Sequence, residues 1–319
     1  MPAAHSPSPA TNHSLGHSLG HGLGHGLGHV PGHVLARTVL AGSGLLAGAA
    51  VLAIFAFLAW FSLPLFRGDG LAATLSWSWR PVRGEFGILP MAAGSLALSA
   101  SAFTLAFPLG VGVCLFACGL GPRPLARLVM AVVRFMTGIP TVVYGFAAAM
   151  LLTPLVRQAL GGSGFCWLTA ALGLALLALP TIVLLLHARM EAAEAELRLT
   201  AAALGLTPAQ KLLHAVLPAC GPGLFAAAVL GFGRCVGDTL IPLMLAGNAA
   251  QAPASLLGSL RTLTAHIALV VATDSQSAAY ASLFACGLIL FLTTLGVNLA
   301  LRGLRRAPAG RRLRPGGSA

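Results

Sequence analysis

Six stretches of the chain, about residues 38–66, 89–119, 138–156, 165–187, 222–247 and 278–301, approach or exceed the roughly 20 apolar residues that a helix needs to cross a bilayer. The pattern predicts an all-α integral membrane bundle of about six transmembrane helices, with both chain ends on one side. Two spans carry helix breakers: "TGIPTVVYG" opens the third with Gly138 and Pro140, and Pro180 sits inside the fourth. Lipid cannot satisfy backbone groups freed at such breaks, so these segments are expected to face other helices or a wet cavity, or to mark a plain kink.

Between the fourth and fifth spans lies "MEAAEAELRLTAAALGLTPAQKLLHAVLP", too polar to span and strongly patterned. Residues 191–204 are almost all good helix formers, and Gly205 is a natural stop. Thr207 then reads as an N-cap, Pro208 as the first helical residue and Gln210 as the other half of a capping box. The second helix is expected to end before Pro218, leaving Leu212, Leu213 and Val216 as an apolar contact surface. As a bare pattern this is an interfacial hairpin lying on the membrane.

Composition agrees with a membrane protein: 57% hydrophobic residues, 8% charged and a mean hydropathy of +0.88. A soluble domain carries about one-quarter charged residues. The net charge of +12 does not indicate nucleic acid, because the arginines are spread between apolar runs rather than clustered with stacking aromatics. They read as topology signals. With the N-terminal tail inside, inner segments hold thirteen basic residues and outer ones five, which places both termini and the 188–221 loop in the cytoplasm. The six cysteines, Cys114, Cys118, Cys166, Cys220, Cys235 and Cys286, lie in or beside apolar runs and read as small packing residues. No secretory leader is expected, since the N-terminus lacks a basic start and its first apolar run is too long for a signal core.

The domain plan is therefore a tail at 1–36, a six-span transmembrane domain with its 188–221 loop at 37–303 and a basic cytoplasmic tail at 304–319. The first tail is low in complexity, with His13, His17, His21, His25, His29 and His33 four apart. A glycine in each repeat disfavours a helix by about 1 kcal/mol relative to alanine, so disorder is expected. Loose zinc or nickel binding by these histidines is the alternative to a dispensable tail.

The fifth stretch contains two charges, Arg234 and Asp238, spaced to share one helical face and to pair. Gly233 and Gly237 form a GxxxG surface beside them. A charge in a span is a functional candidate by default, although a buried structural salt bridge gives the same spacing. The functional alternative has Arg234 meeting an oxyanion, Asp238 orienting or releasing it, and Thr239 adding a hydroxyl.

The loop "LTAAALGLTPAQKLLHAVLP" resembles the cytoplasmic coupling loop of ABC-type import permeases, with Ala201, Ala202 and Gly205 at a fixed spacing before Leu217-Pro218. Leu199 stands where that family usually has a glutamate, which removes a charged contact and leaves the apolar ones. Together with "WRPVRGEFGILP", "TGIPTVVYGF", "GRCVGDTLIPLMLAGN" and "SLLGSLRTLTAHIAL", it resembles the membrane subunits of phosphate ABC importers, and the Gly247-Asn248 pair the C-type of their two permease types. That resemblance implies the importer (MetI-like) permease fold and ATPase contacts through Ala201, Ala202, Gly205, Gln210, Leu212, Leu213, Leu217 and Pro218. It further implies a phosphate path through Arg234, Asp238 and Thr239, with aspartate where the family usually has glutamate. The implied partners are a second permease subunit, a dimer of ATPase subunits and an external phosphate-binding protein. Arg80, Arg83 and Glu85, near Trp77 and Trp79, are expected either to dock that protein or to form an interfacial belt. The chain has no GxxxxGK[ST] loop, so ATP and Mg are expected on the ATPase, and this subunit is expected to be non-catalytic. The competing readings are a permease for sulfate, molybdate or tungstate, and a membrane scaffold with a metal-binding tail.

Overall fold

The computed structural model describes residues 32–63, 74–252, 254–271 and 278–306. Two compact units divide the chain, Met1–Val51 and Leu52–Ala319. Helix α1 (Gly32–Ser62) begins in the first unit, where Val39, Leu40, Leu45 and Leu46 are exposed. Residues 32–36, expected in the tail, are helical. His13, His17, His21, His25 and His29 lie outside the described residues, and His33 falls in the first turn of α1.

In the second unit a two-stranded hairpin, β1 (Trp79–Arg80) and β2 (Glu85–Phe86), precedes α2 (Leu89–Leu115). An amphipathic helix, α3 (Arg123–Thr137), lies in what the hydropathy pattern left as a loop, followed by α4 (Thr141–Leu160) and α5 (Trp167–Ala203). Next come α6 (Pro208–Ala219), α7 (Gly221–Gly237), the short α8 (Leu240–Leu245), α9 (Leu263–Val271) and α10 (Ala278–Arg306). Residues 304–306, placed in the basic tail by sequence, thus belong to a helix. Among the described residues five helices are long and apolar enough to cross a membrane, and the number reaches six if α6 and α7, bent by 69° at their junction, make one broken span. The fifth apolar stretch is not one helix: α7 stops at Gly237 and α8 begins at Leu240.

The centre of the bundle is the crossing of α2, α5 and α7 on Ile182, which is fully buried. A Cβ at Gly231 would lie 2.5 Å from Ile182 Cγ1, and one at Gly110 would lie 2.8 Å from its Cγ2. Only glycine lets both neighbours close on this side chain, the small-residue packing that replaces a hydrophobic driving force in lipid. The expected GxxxG pair does not serve this purpose, because a Cβ at Gly233 or Gly237 would meet nothing within 4 Å. Pro180, two residues before Ile182 on α5, is buried and the helix runs through it. The six cysteines are free thiols, five of them buried.

At 37 residues, α5 is about 55 Å long at 1.5 Å per residue, against a hydrocarbon core of about 30 Å. Its polar second half is therefore a stalk. The stalk ends as the sequence predicts: Gly205 adopts φ +65°, Gly205 N–H donates to Ala202 O, and Leu206 N–H donates to Ala201 O, the Schellman arrangement. Thr207 and Gln210 form the expected capping box.

Helix α6 departs from expectation in two ways. It continues through Pro218 to Ala219, with a widened π turn at Lys211–Val216 that shifts the ladder just before a residue lacking an N–H. It also turns Leu212 and Val216 into the core, so of the three expected surface residues only Leu213 is exposed.

Gly231→Val should lower the thermal unfolding midpoint of the detergent-purified protein, since overpacking this crossing costs about 1–3 kcal/mol. Gly233→Ala, in open space, should leave the midpoint unchanged. Equal tolerance of both substitutions would contradict the packing described.

Candidate functional site

The site is built where α7 ends. Asp238 leaves the helix with an extended backbone, φ −76° and ψ 134°, and its Oδ2 accepts the Ile241 N–H at 2.9 Å. This is the geometry of an N-cap, placed at the start of α8. The Asp238 carbonyl, freed by the break, accepts the Thr264 hydroxyl at 3.1 Å. Asp238 is buried at 6% exposure and Thr239 is half-buried.

The expected pairing of Arg234 with Asp238 does not form: no ion pair within 4 Å joins them, because the helix ends before the acid and turns its carboxylate to α8. Arg234 is exposed and lines a cavity of about 540 Å³. Thr181 and Leu185 of α5, Phe225 of α7, and Asn298 and Arg302 of α10 share that lining. A guanidinium inside a span with no carboxylate within 4 Å presents its donors to whatever fills the cavity. Sequence reasoning named Arg234 and missed Arg302 and Asn298, because a single positive residue at the end of a span reads as a topology signal.

Beyond α8 the chain turns on Gly247 (φ +77°) and Asn248 (φ +59°). Two successive left-handed residues favour Gly and Asn, which explains that pair locally. The following loop is pinned to the bundle. Trp167 N–H and Leu168 N–H at the start of α5 donate to Gly258 O and Leu256 O, at 2.9 and 2.8 Å. Leu263 N–H donates to Ser95 Oγ of α2 at 2.7 Å, and a Cβ at Gly94 would collide with the Arg261 carbonyl.

Arg261 Nε donates to Asn248 O at 2.8 Å, and its Nη1 lies 3.5 Å from His266 Nδ1. His266 is fully buried, with Trp79 of the hairpin edge-on at 4.3 Å, and its Nε2 has no partner among the described residues. Burial, then the Arg261 charge, pushes its pKa down to about 4, and burial lowers that of Arg261. The imidazole is therefore a neutral acceptor for a desolvated cation. Of the expected docking residues Arg80 and Arg83 are exposed, whereas Glu85 accepts the Ser78 hydroxyl.

On the stalk side Ala201, Leu212 and Cys220 are buried, Leu217 is half-buried, and Ala202, Gly205, Gln210, Leu213 and Pro218 are exposed. Leu199 and Leu204, like Leu213, are exposed leucines of this region, at 79% and 69%. Lys211 Nζ donates to Glu194 Oε1 at 2.5 Å, tying α6 to the stalk.

Residues 110–308 match the family model described as the binding-protein-dependent transport system inner membrane component. The chain belongs to that family. It is thus a multi-pass permease subunit that works with an ATPase and other subunits. It is 31% identical to the probable ABC transporter permease protein YqgH of Bacillus subtilis, over 84% of this chain and 89% of that one. Phosphate transport system permease protein PstC of Mesorhizobium japonicum is 30% identical over 77% and 84%, and PstC 1 of Mycobacterium tuberculosis 31% over 71% and 74%. The fold is shared with the MetNI methionine ABC transporter in inward-facing conformations, at a TM-score of 0.54 and 20% identity, over 67% of this chain and 92% of that one. An amino acid ABC transporter gives 0.53 and 15%, over 69% and 94%. The importer permease fold is therefore as the residue pattern implied.

Two outcomes test this permease site. Asp238→Ala, which removes the cap of α8, should destabilise the purified subunit by about 1 kcal/mol in thermal unfolding, while Asp238→Asn retains an acceptor and most of the stability. The second concerns pH. The His266 pKa is lower folded than unfolded, so its stabilising contribution is complete above about 6.5 and is lost as pH falls toward about 4. Thermal midpoints of the wild type should drop across that interval, and His266→Gln should flatten the drop; an unchanged slope in the variant would refute the assignment.

Proposed function

We propose that this chain is a permease subunit of an ATP-driven importer of inorganic phosphate. What carries the reading is Arg234: a guanidinium within a membrane span, without a carboxylate within 4 Å, lining a cavity large enough for an oxyanion. The relatives named as phosphate transport system permease proteins, similar over most of the chain, support the substrate and the C-type of permease.

Arg234 offers five fixed donors that match tetrahedral oxyanion geometry, alone or in bidentate pairs. A pore must also release its ion, and a single arginine contact binds weakly enough for passage. Thr239 adds a hydroxyl beside the break. Asp238 acts at one remove, fixing where α7 stops and α8 starts. High-affinity selection is left to an external phosphate-binding protein, with Arg80 and Arg83 on the face it would approach.

The termini and the α5–α6 turn lie in the cytoplasm, as the distribution of basic residues indicates. The exposed Leu199, Leu204 and Leu213, with Ala202, Gly205, Gln210 and Pro218, form the ATPase contact, and an apolar patch of this kind marks a partner surface. The working unit is a pair of permease subunits with a pair of ATPase subunits. ATP and Mg belong to the ATPases, and this chain carries out no chemistry itself.

The test is uptake of labelled phosphate at micromolar concentration, in cells lacking their own importer and supplied with this chain and its partner subunits. Phosphate, but not sulfate or molybdate, should compete, and Arg234→Ala should lower uptake by about tenfold or more in an assembled complex, the effect of one charge-assisted contact. Competition by sulfate or molybdate would reassign the substrate, and full uptake in the variant would remove Arg234 from the path.

A further inference from the structure

The cavity that holds Arg234 holds a second guanidinium. Arg302, one turn beyond Asn298 on α10, lines the same 540 Å³ space and, like Arg234, forms no ion pair among the described residues. No Asp or Glu lines it. Asn298 spends one N–H on Thr294 O at 2.8 Å, leaving its other N–H and its Oδ1 for the cavity. Thr181 adds a hydroxyl.

On α7 the lining runs from Phe225 to Arg234, nine residues or about 13 Å along the axis. Arg302, near the last turns of α10, is exposed. In the orientation proposed above, the end of α10 is the cytoplasmic end. At about 30 Å³ per water the space takes an oxyanion with more than a dozen waters, so the ion stays partly hydrated and each contact remains weak.

We propose that Arg302, supported by Asn298, is the second phosphate contact of this cavity: the ion held at Arg234 passes to Arg302 before release into the cytoplasm. Two weak sites in series permit passage where one tight site would trap the ion. The inference rests on the phosphate reading and on the orientation given with it. The chemistry recognised is a phosphate oxyanion, which a lipid headgroup also carries, and the arms of the test separate the two.

The assembled complex is compared as wild type, Arg302→Gln, Arg302→Lys and Arg234→Ala, with assembly checked by co-purification. Arg302→Gln should lower the maximal rate of labelled phosphate uptake about tenfold without moving the half-saturating concentration, which the external binding protein sets. Arg302→Lys should recover most of the rate, a rescue that a packing role would not give. In a phosphate-free maltoside detergent, the 31P line broadening of inorganic phosphate by the complex should be several-fold weaker for Arg302→Gln than for wild type. Wild-type uptake and line broadening in Arg302→Gln would overturn the inference, and if Arg234→Ala were still impaired the phosphate reading would stand. Slower uptake with unchanged line broadening and loss of a co-purifying phospholipid would overturn it in favour of a headgroup site. Absence of phosphate uptake by an assembled wild type would overturn both.

Discussion

The structure depends on one constraint: a backbone polar group in a membrane cannot be left to lipid. The fifth apolar stretch breaks at Asp238, which frees donors at the start of α8 and an acceptor at the end of α7. One residue and one distant threonine resolve this, the carboxylate taking Ile241 N–H and the carbonyl taking the Thr264 hydroxyl. Because Thr264 belongs to α9, closing the break also fixes the loop between α8 and α9. That loop satisfies the first N–H groups of α5 and packs on Gly94 and Ser95 of α2.

This arrangement separates the two charges of the fifth stretch. Asp238 is used up as a cap, and Arg234, one turn earlier on the last intact helix, is left facing the cavity. A direct salt bridge would have neutralised the guanidinium and filled its donors. The break leaves it free for an anion while its helix stays anchored through Gly231 against Ile182. At the other end, α5 is a single helix from Trp167 to the Gly205 turn, and Lys211 on Glu194 joins it to α6. That ion pair ties α6 directly to the helix that forms one wall of the cavity.

Most of the architecture was legible in the sequence. The apolar stretches locate the five long apolar helices and the broken α7–α8 region, and the polar loop a helix, a turn and a second helix. The turn was legible in atomic detail, because a Gly at C′ and a Thr-x-x-Gln box act on backbone within a few residues. The amphipathic α3 was not, since hydropathy alone registers a half-polar helix as a loop. The hairpin at Trp79–Phe86 is too short to give a strand pattern of its own.

The sequence by itself determined where the chain enters lipid, where its helices start and stop around Gly205 and Thr207, and that two charges sit in an apolar stretch. The tertiary structure decided which glycine meets a neighbour, which leucine of α6 faces out, and which group Asp238 serves. Spacing cannot decide these, because Ile182 and Thr264 lie far along the chain from the groups they meet, and only the break they help to hold turns Asp238 to Ile241. Gly231 and Gly233 are equivalent until Ile182 arrives, and Leu212 and Leu213 until the core claims one of them. Arg234 and Asp238 would share a face on any unbroken helix. The need to satisfy a freed carbonyl with Thr264, and a freed donor with the carboxylate, is what separates them.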